Sequence, residues 1–85
     1  MMFSVRFNKA VVITQHAQLR MRQRAVSVAE LQDVIDHGDT RFKDETHLWV
    51  FMDLPGRFDN LVCVVLVLEA VVVVKTVMHY FDLED

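Results

Sequence analysis

Hydrophobic residues recur with two different periods along this chain of 85 residues. Between residues 14 and 38 they stand three or four positions apart, as in Leu31, Val34 and Ile35, which is the spacing of one buried helix face. After Asp39 the period falls to two, which is typical of β-strands. The pattern therefore predicts helices followed by strands.

Capping residues place the ends of two predicted helices. Thr14 precedes a run of strong helix formers, and its hydroxyl can accept a hydrogen bond from a backbone N–H of the first turn. Ser27 is followed three residues later by Glu30, which is the spacing of a capping box. Gly38 stands where a left-handed residue commonly ends a helix. We therefore expect a helical hairpin over residues 14–38.

The second half of the chain is rich in valine, whose branched side chain suits a pleated sheet. The predicted strands are residues 40–43, 47–53, 61–68 and 71–79. Residues 54–60 contain the only Pro and one of the two Gly, so we expect a loop there. Residues 10–13 are either a short strand or an extended lead-in. Glu69-Ala70 lacks tight-turn chemistry, which leaves the register of the last hairpin open.

This order of elements predicts a single α+β domain over residues 1–85. Two N-terminal helices, the hairpin of residues 14–38, would pack on a three- to four-stranded antiparallel sheet of residues 40–80.

The last two predicted strands are apolar on both faces. Residues 62–68 and 71–74 contain no polar side chain other than the thiol of Cys63, whereas a strand with one face in water alternates. Two short helices cover only one face of a sheet. The other face would need cover from the N-terminal segment, from another protein or from a second copy of the chain. We expect a homodimer or a complex with a second protein.

Composition excludes several classes of protein. Hydrophobic residues make up 53% and charged residues 25% of the chain, which excludes a disordered or collagen-like protein. The single cysteine, Cys63, excludes an internal disulfide and fits a reducing compartment, so we expect a cytoplasmic protein. The apolar run of residues 61–74 is too short to span a bilayer as a helix, and we expect no membrane association. No glycine-rich phosphate loop is present, and we expect no cofactor.

Charge is distributed unevenly along the chain. Residues 1–24 carry five Lys and Arg and no acid, whereas the remainder carries four against twelve Asp and Glu, for a net charge of −3. A local positive patch attracts polyanions, and an acidic remainder suppresses indiscriminate binding. The patch is equally consistent with a solvated helix face that binds nothing.

Three residues of the first predicted helix could carry chemistry. His16, Arg20 and Arg24 stand four apart, which places them along one helix face at roughly 6 Å per step. A neutral imidazole could remove the proton of a ribose 2′-hydroxyl while a guanidinium stabilises negative charge on the phosphoryl oxygens. The alternative is that His16 caps or packs at the helix start and the arginines only solvate the helix.

Other candidate residues are weaker. His79 and Tyr80 end the last strand, where either could act as an acid, although rim residues of this kind are often only half-buried. The four histidines form no recognised metal-binding pair, and we expect no metal site. Apolar neighbours of Cys63 would raise its thiol pKa and make it inert.

The segment of residues 14–27, with Glu30-Leu31, Ile35 and Gly38 behind it, resembles the opening of the small bacterial proteins grouped as domain of unknown function 4258. The shared pattern is His-Ala, an Arg-Met-type helix, an Arg, and a Ser-capped helix that ends in Gly. That family is similar to the RelE-like and BrnT-like toxin superfamily, whose members pack helices on a twisted antiparallel sheet and often cleave RNA without a metal.

The resemblance implies a RelE-like fold and a set of site residues. The implied catalytic residues are His16, Arg20, Arg24 and His79. The resemblance also points to Thr76, and together with residues singled out by their positions the predicted RNA-binding residues are Arg20, Arg22, Gln23, Arg24, Thr76 and Tyr80.

Two functional hypotheses follow. The first is a toxin-like or RNA-processing domain, a metal-independent endoribonuclease or RNA-binding protein that uses its basic helix face and has an antitoxin-like protein as partner. The second is a non-catalytic protein-binding or assembly module that dimerises through its apolar sheet.

Overall fold

Strands and helices follow one another in an order that only partly matches the prediction. A computed structural model describes residues 2–53 and 61–79, and of Leu61 and His79 it describes the backbone alone. The strands within these residues are β1 (Met2–Ser4), β2 (Lys9–Ile13), β3 (Asp39–Phe42), β4 (His47–Asp53), β5 (Leu61–Leu68) and β6 (Val72–His79). The helices are α1 (Gln15–Gln23) and α2 (Val28–His37). The predicted strands 47–53 and 61–68 are confirmed to the residue.

The strands form one mixed sheet in the order β1-β2-β6-β5-β4-β3. Strand β2 runs parallel to β6, with Val11 opposite Val72, whereas all other described pairs are antiparallel. The fold is α+β, but the expected three- to four-stranded antiparallel sheet of RelE-like type, preceded directly by helices, is wrong. The prediction failed because two strands, β1 and β2, precede the helices. Strand β2 joins the sheet by pairing with β6, which is far away in the sequence, and hydrophobic periodicity within either strand does not reveal that pairing.

Both helices lie on one face of this sheet and bury a common core. Helix α1 packs against β6, and α2 packs against β4, β5 and β1. The helices contribute Ala17, Met21, Leu31, Val34 and Ile35 to this core. The sheet contributes Val11, Leu48, Val50, Val62, Val64, Leu66, Val72, Val74 and Val77. None of the described helices has the length and apolar character that crossing a membrane requires.

The predicted helix starts are confirmed by their caps. The Thr14 hydroxyl accepts a hydrogen bond from the backbone N–H of Ala17 at 3.1 Å. The Ser27 hydroxyl accepts from the N–H of Glu30 at 3.1 Å, while the Glu30 carboxylate accepts from the N–H of Ser27 at 2.9 Å. These bonds satisfy N–H groups that have no partner within the helix.

Gly38 ends α2, but not in the predicted left-handed conformation. Its φ of −72° and ψ of 167° are extended backbone open to any residue. A Cβ at this position would lie 2.7 Å from the carbonyl oxygen of Val34 and 2.8 Å from that of Phe51. Glycine is needed because α2 and β4 approach closely here, which no single-sequence signal distinguishes from a C-cap.

The carboxylate of Asp36 in α2 connects this helix to strand β1 at the edge of the sheet. The hydroxyl of Ser4 donates to Asp36 Oδ1 at 2.7 Å, and Gln32 donates both to Asp36 Oδ2 at 2.6 Å and to the carbonyl of Phe3 at 2.8 Å. Burial raises the pKa of Asp36, but hydrogen bonds from Ser4, Gln32 and the backbone of residues 5 and 6 outweigh it, so the pKa lies below 3.8. The Asp36 carboxylate therefore holds β1 against α2.

Candidate nucleic-acid interface

The start of α1 is fixed to an irregular point in β6. The Thr14 hydroxyl donates to the carbonyl of Val74 at 2.9 Å, and the Thr14 N–H donates to the same oxygen at 3.2 Å. Between this point and the end of β6 the sheet register shifts, since Leu66 pairs with Val74 but Val65 pairs with Thr76, which leaves Lys75 as a bulge residue. The first turn of α1 is thus anchored by its cap to the sheet.

His16 and Arg20 follow one another along α1, with Arg24 at its C-cap, and we call this set the α1 basic face. Ala17 and Met21, each one residue further along the chain, are buried against the sheet at 0% and 6% exposure. The α1 basic face therefore lies beside the buried stripe: His16 is exposed, and Arg20 and Arg24 are half-buried. The structure brings these three predicted residues onto one side of one helix.

Among the residues that the structure describes, the hydrogen-bond partner of Arg20 is neutral. Its Nη1 donates to Oε1 of Gln23 at 2.9 Å, so a predicted RNA-binding amide holds a predicted RNA-binding guanidinium in place. Helix α1 contains no acidic residue in its sequence Gln15–Gln23. An amide partner orients the guanidinium without neutralising it, which leaves its charge available to an anion.

Arg22 lies elsewhere on α1. It stands two positions from Arg20 and two from Arg24, which is about 200° around a helix, so it points away from the α1 basic face. Arg22 instead lines a mostly apolar cavity of about 560 Å³ between the two helices. The other lining residues are Ile13, Gln18, Met21, Ala25, Val26, Ser27 and Val28. The predicted RNA-binding set is therefore divided between two sides of the helix.

Thr76 is also apart from α1. It pairs with Val65, while its neighbours Val74 and Val77 are fully buried in the core beneath the helices. Because side chains alternate along a strand, Thr76 faces the side of the sheet away from α1. The backbone of His79 pairs with Val62 at the end of β6, but its side chain and all of Tyr80 lie outside the described residues.

A histidine–carboxylate pair that the sequence analysis did not single out lies at the turn between β3 and β4. Nδ1 of His47 is 2.9 Å from Oδ1 of Asp44, and the same oxygen accepts the backbone N–H groups of Thr46 and His47 at 2.9 Å. Hydrogen bonds from His47 and Thr46 hold the pKa of Asp44 well below its usual range. An aspartate whose side chain accepts the N–H two residues later is typical of a turn. The hydrogen bonds from Thr46 and His47 to Asp44 stabilise the turn between β3 and β4.

Cys63 is buried, as expected from its apolar neighbours. Burial raises the pKa of its thiol to about 12, so the side chain stays protonated and unreactive at neutral pH. Within residues 2–53 and 61–79, no three His, Cys, Asp or Glu side chains converge as they would around a metal ion.

Comparison with known proteins identifies a sequence family. Residues 13–79 match the sequence family described as a domain of unknown function (DUF4258). The match begins at the last residue of β2 and extends to the last residue of β6, so it includes the whole α1 basic face. No curated protein and no solved structure matches the chain. Since the match covers most of the sequence, the chain belongs to the DUF4258 family.

Proposed function

We propose that the protein binds RNA through the α1 basic face. The observation that carries this proposal is the arrangement of Arg20, a half-buried residue whose guanidinium is hydrogen-bonded to an amide, on a helix without acids. A side chain already held in place loses less conformational entropy on binding, and a guanidinium whose partner is neutral favours phosphate. The acidic remainder of the chain restricts the attraction to this face.

The length of the α1 basic face favours a polyanion over a single phosphate group. From His16 to Arg24 the helix rises about 12 Å, which is more than one phosphate spans. Successive phosphates of a nucleic-acid backbone can each meet a side chain along this line.

RNA rather than DNA is proposed because of His16. Its exposed imidazole stands one turn from Arg20, where it could take the proton of a ribose 2′-hydroxyl. The 2′-oxygen would then bond to phosphorus and the P–O5′ bond would break, giving a 2′,3′-cyclic phosphate and a 5′-hydroxyl. The departing 5′-oxygen takes a proton from an acid, for which His79 and Tyr80 are the candidates. A kinship of the family with RelE-like and BrnT-like toxins is part of this proposal.

Binding is tested with a fluorescein-labelled single-stranded RNA at low salt, by anisotropy. Arg20→Gln removes one charge from the α1 basic face, and Lys43→Gln removes one charge from an exposed position after β3, at the far edge of the sheet. We expect Arg20→Gln to weaken binding about 10- to 100-fold, the range of one charge-assisted contact, and Lys43→Gln to leave it within about 2-fold. Equal effects of the two variants would refute the proposal.

The variant Arg22→Gln tests whether RNA contacts only the α1 basic face or all sides of the helix. Because Arg22 lies on the opposite side of α1, the proposal expects this variant to resemble Lys43→Gln. Equal losses for Arg22→Gln and Arg20→Gln would contradict the assignment of the α1 basic face.

Cleavage is tested separately, with the same RNA in excess chelator. The variant is His16→Ala, and the control is His37→Ala, which removes an exposed imidazole from the end of α2. A general base contributes about 100-fold or more, so His16→Ala should abolish cleavage while His37→Ala retains it. Cleavage that persists in His16→Ala would exclude the catalytic role, and binding would be judged on its own assay.

A further inference from the structure

The sheet face away from α1 and α2, here called the open face, is buried at Phe51 and Cys63 and carries an apolar hollow elsewhere. Its floor is formed by Val65, Val67 and Val73, and its volume is about 390 Å³. His47, Glu69 and Lys75 stand around it. The described part of the N-terminal segment forms β1 and β2 at the edge of the sheet and so does not cover this face.

An exposed apolar side chain stands beside this hollow. Val12 of β2 is opposite Val73 of β6 in the parallel register, so both side chains emerge on the open face. Val12 is 48% exposed, whereas its neighbour Val11 is only 6% exposed on the covered face. A protruding side chain and a hollow thus lie next to each other on the same surface.

We propose that the open face binds a second copy of this chain in a two-fold symmetric dimer. In such an interface each surface meets itself, so a feature and its complement must both be present on one copy. Val12 of each copy would enter the hollow formed by Val65, Val67 and Val73 of the partner. This inference is independent of RNA binding, because it rests on the opposite side of the sheet.

The charges at the rim of the hollow are self-complementary. Glu69 and Lys75 supply one negative and one positive charge around the same apolar floor. A two-fold axis that lies in the plane of the interface, midway between these two residues, would bring Glu69 of one copy to the partner's Lys75, and the reverse pair would form at the same time. A nucleic acid or an anionic membrane would instead favour a rim of positive charge, and so the observations favour a second copy.

The dimer is tested by exchanging these charges. The variants are Glu69→Lys, Lys75→Glu and the double exchange, with Asp33→Lys on the exposed side of α2 as the control. Sedimentation equilibrium should show a dimer for the wild type and for Asp33→Lys at micromolar concentration. Each single exchange places like charges together at two symmetric points and should weaken the dimer at least about 10-fold. The double exchange restores both pairs and should return dissociation to within about 3-fold of wild type.

A second variant, Val12→Asp, should be monomeric. Its circular dichroism spectrum should match that of the wild type, which shows that the variant is folded. A wild type that is monomeric at about 100 μM, or a double exchange no better than the single ones, would overturn the proposal. Stoichiometric purification of a wild-type monomer with a different protein would also overturn it. The monomeric variants should bind the labelled RNA with little loss per chain, so failure of the dimer and failure of RNA binding are distinguishable.

Discussion

Gly38 has almost no space for a side chain. A Cβ would approach the carbonyl oxygens of Val34 and Phe51 and a methyl group of Val50, all within 2.9 Å. Two of these three contacts are backbone atoms, which cannot move without displacing α2 or β4. We predict that Gly38→Ala lowers the free energy of unfolding by about 1–3 kcal/mol, as overpacked sites do. Urea denaturation measures this loss, with Asp39→Ala at the exposed neighbour as the control.

A loss for Gly38→Ala no larger than for Asp39→Ala would contradict the close approach of α2 and β4. The exposed control should change stability by less than about 0.5 kcal/mol.

Asp36 should make the protein sensitive to acid. Its hydrogen bonds lower the pKa in the folded state below 3.8, so the folded protein holds this proton more weakly than the unfolded chain does. The resulting stability is complete above the unfolded pKa and is lost as the pH falls through the folded pKa. We predict that Asp36→Asn is less stable than the wild type at neutral pH and loses less stability between about pH 6 and pH 3.

Urea denaturation at both pH values checks this prediction. Asp33→Asn removes the same charge from an exposed position of the same helix and should keep the pH dependence of the wild type. If Asp36→Asn kept that dependence unchanged, the network of Asp36 with Ser4 and Gln32 would not be the source of acid sensitivity.

The connection between helices α1 and α2 carries backbone strain at Ala25. Ala25 has a φ of 54°, a left-handed conformation that costs an alanine about 1–2 kcal/mol. Glycine adopts it freely but loses about 0.4–1 kcal/mol through the larger entropy of the unfolded chain. We therefore predict that Ala25→Gly raises the free energy of unfolding by about 0.5–1 kcal/mol.

The matched control is Ala29→Gly in the first turn of α2. There φ is helical, so the same substitution should lower stability by up to about 1 kcal/mol. Opposite signs for Ala25→Gly and Ala29→Gly in urea denaturation would confirm the strain, and equal losses would contradict it.

Elements defined by local signals could be predicted from the sequence. The N-terminal caps of both helices and the bounds of β4 and β5 follow from residues within a few positions of each boundary. Strand β1 could not be predicted in this way, because three residues carry too little pattern and its partner is supplied by β2. The parallel pairing of β2 with β6 joins residues about 60 positions apart, where topology rather than periodicity decides.

The candidate site shows the same division. The α1 basic face could be predicted because a spacing of four is a property of one helix. The separation of Thr76 from it depends on the bulge at Lys75 and on the register between β5 and β6. Gly38 combines both kinds of information. A glycine after a helix is visible in the sequence, but the reason that glycine is required there is the close approach of the distant strand β4.

At the scale of the whole molecule, the sheet separates two surfaces of different character. One side carries α1 with Arg20 bonded to the amide of Gln23, and the other carries the apolar hollow and the exposed Val12. A protein with this division could present RNA-binding helices on the outer sides of a dimer joined through its open faces. The two-sided apolar character of β5 and β6 would then serve assembly, and the basic end of the sequence would serve recognition.

The most direct test of this account is an NMR titration of the ¹⁵N-labelled protein with a short single-stranded RNA. We predict that the largest chemical-shift changes of backbone amides and arginine side chains cluster at His16, Arg20 and Arg24. The changes at Arg41 and Lys43, in and after the edge strand β3, should be small. Shifts centred on β3, shifts spread evenly over all basic residues, or no shifts at low salt would contradict RNA binding by the α1 basic face.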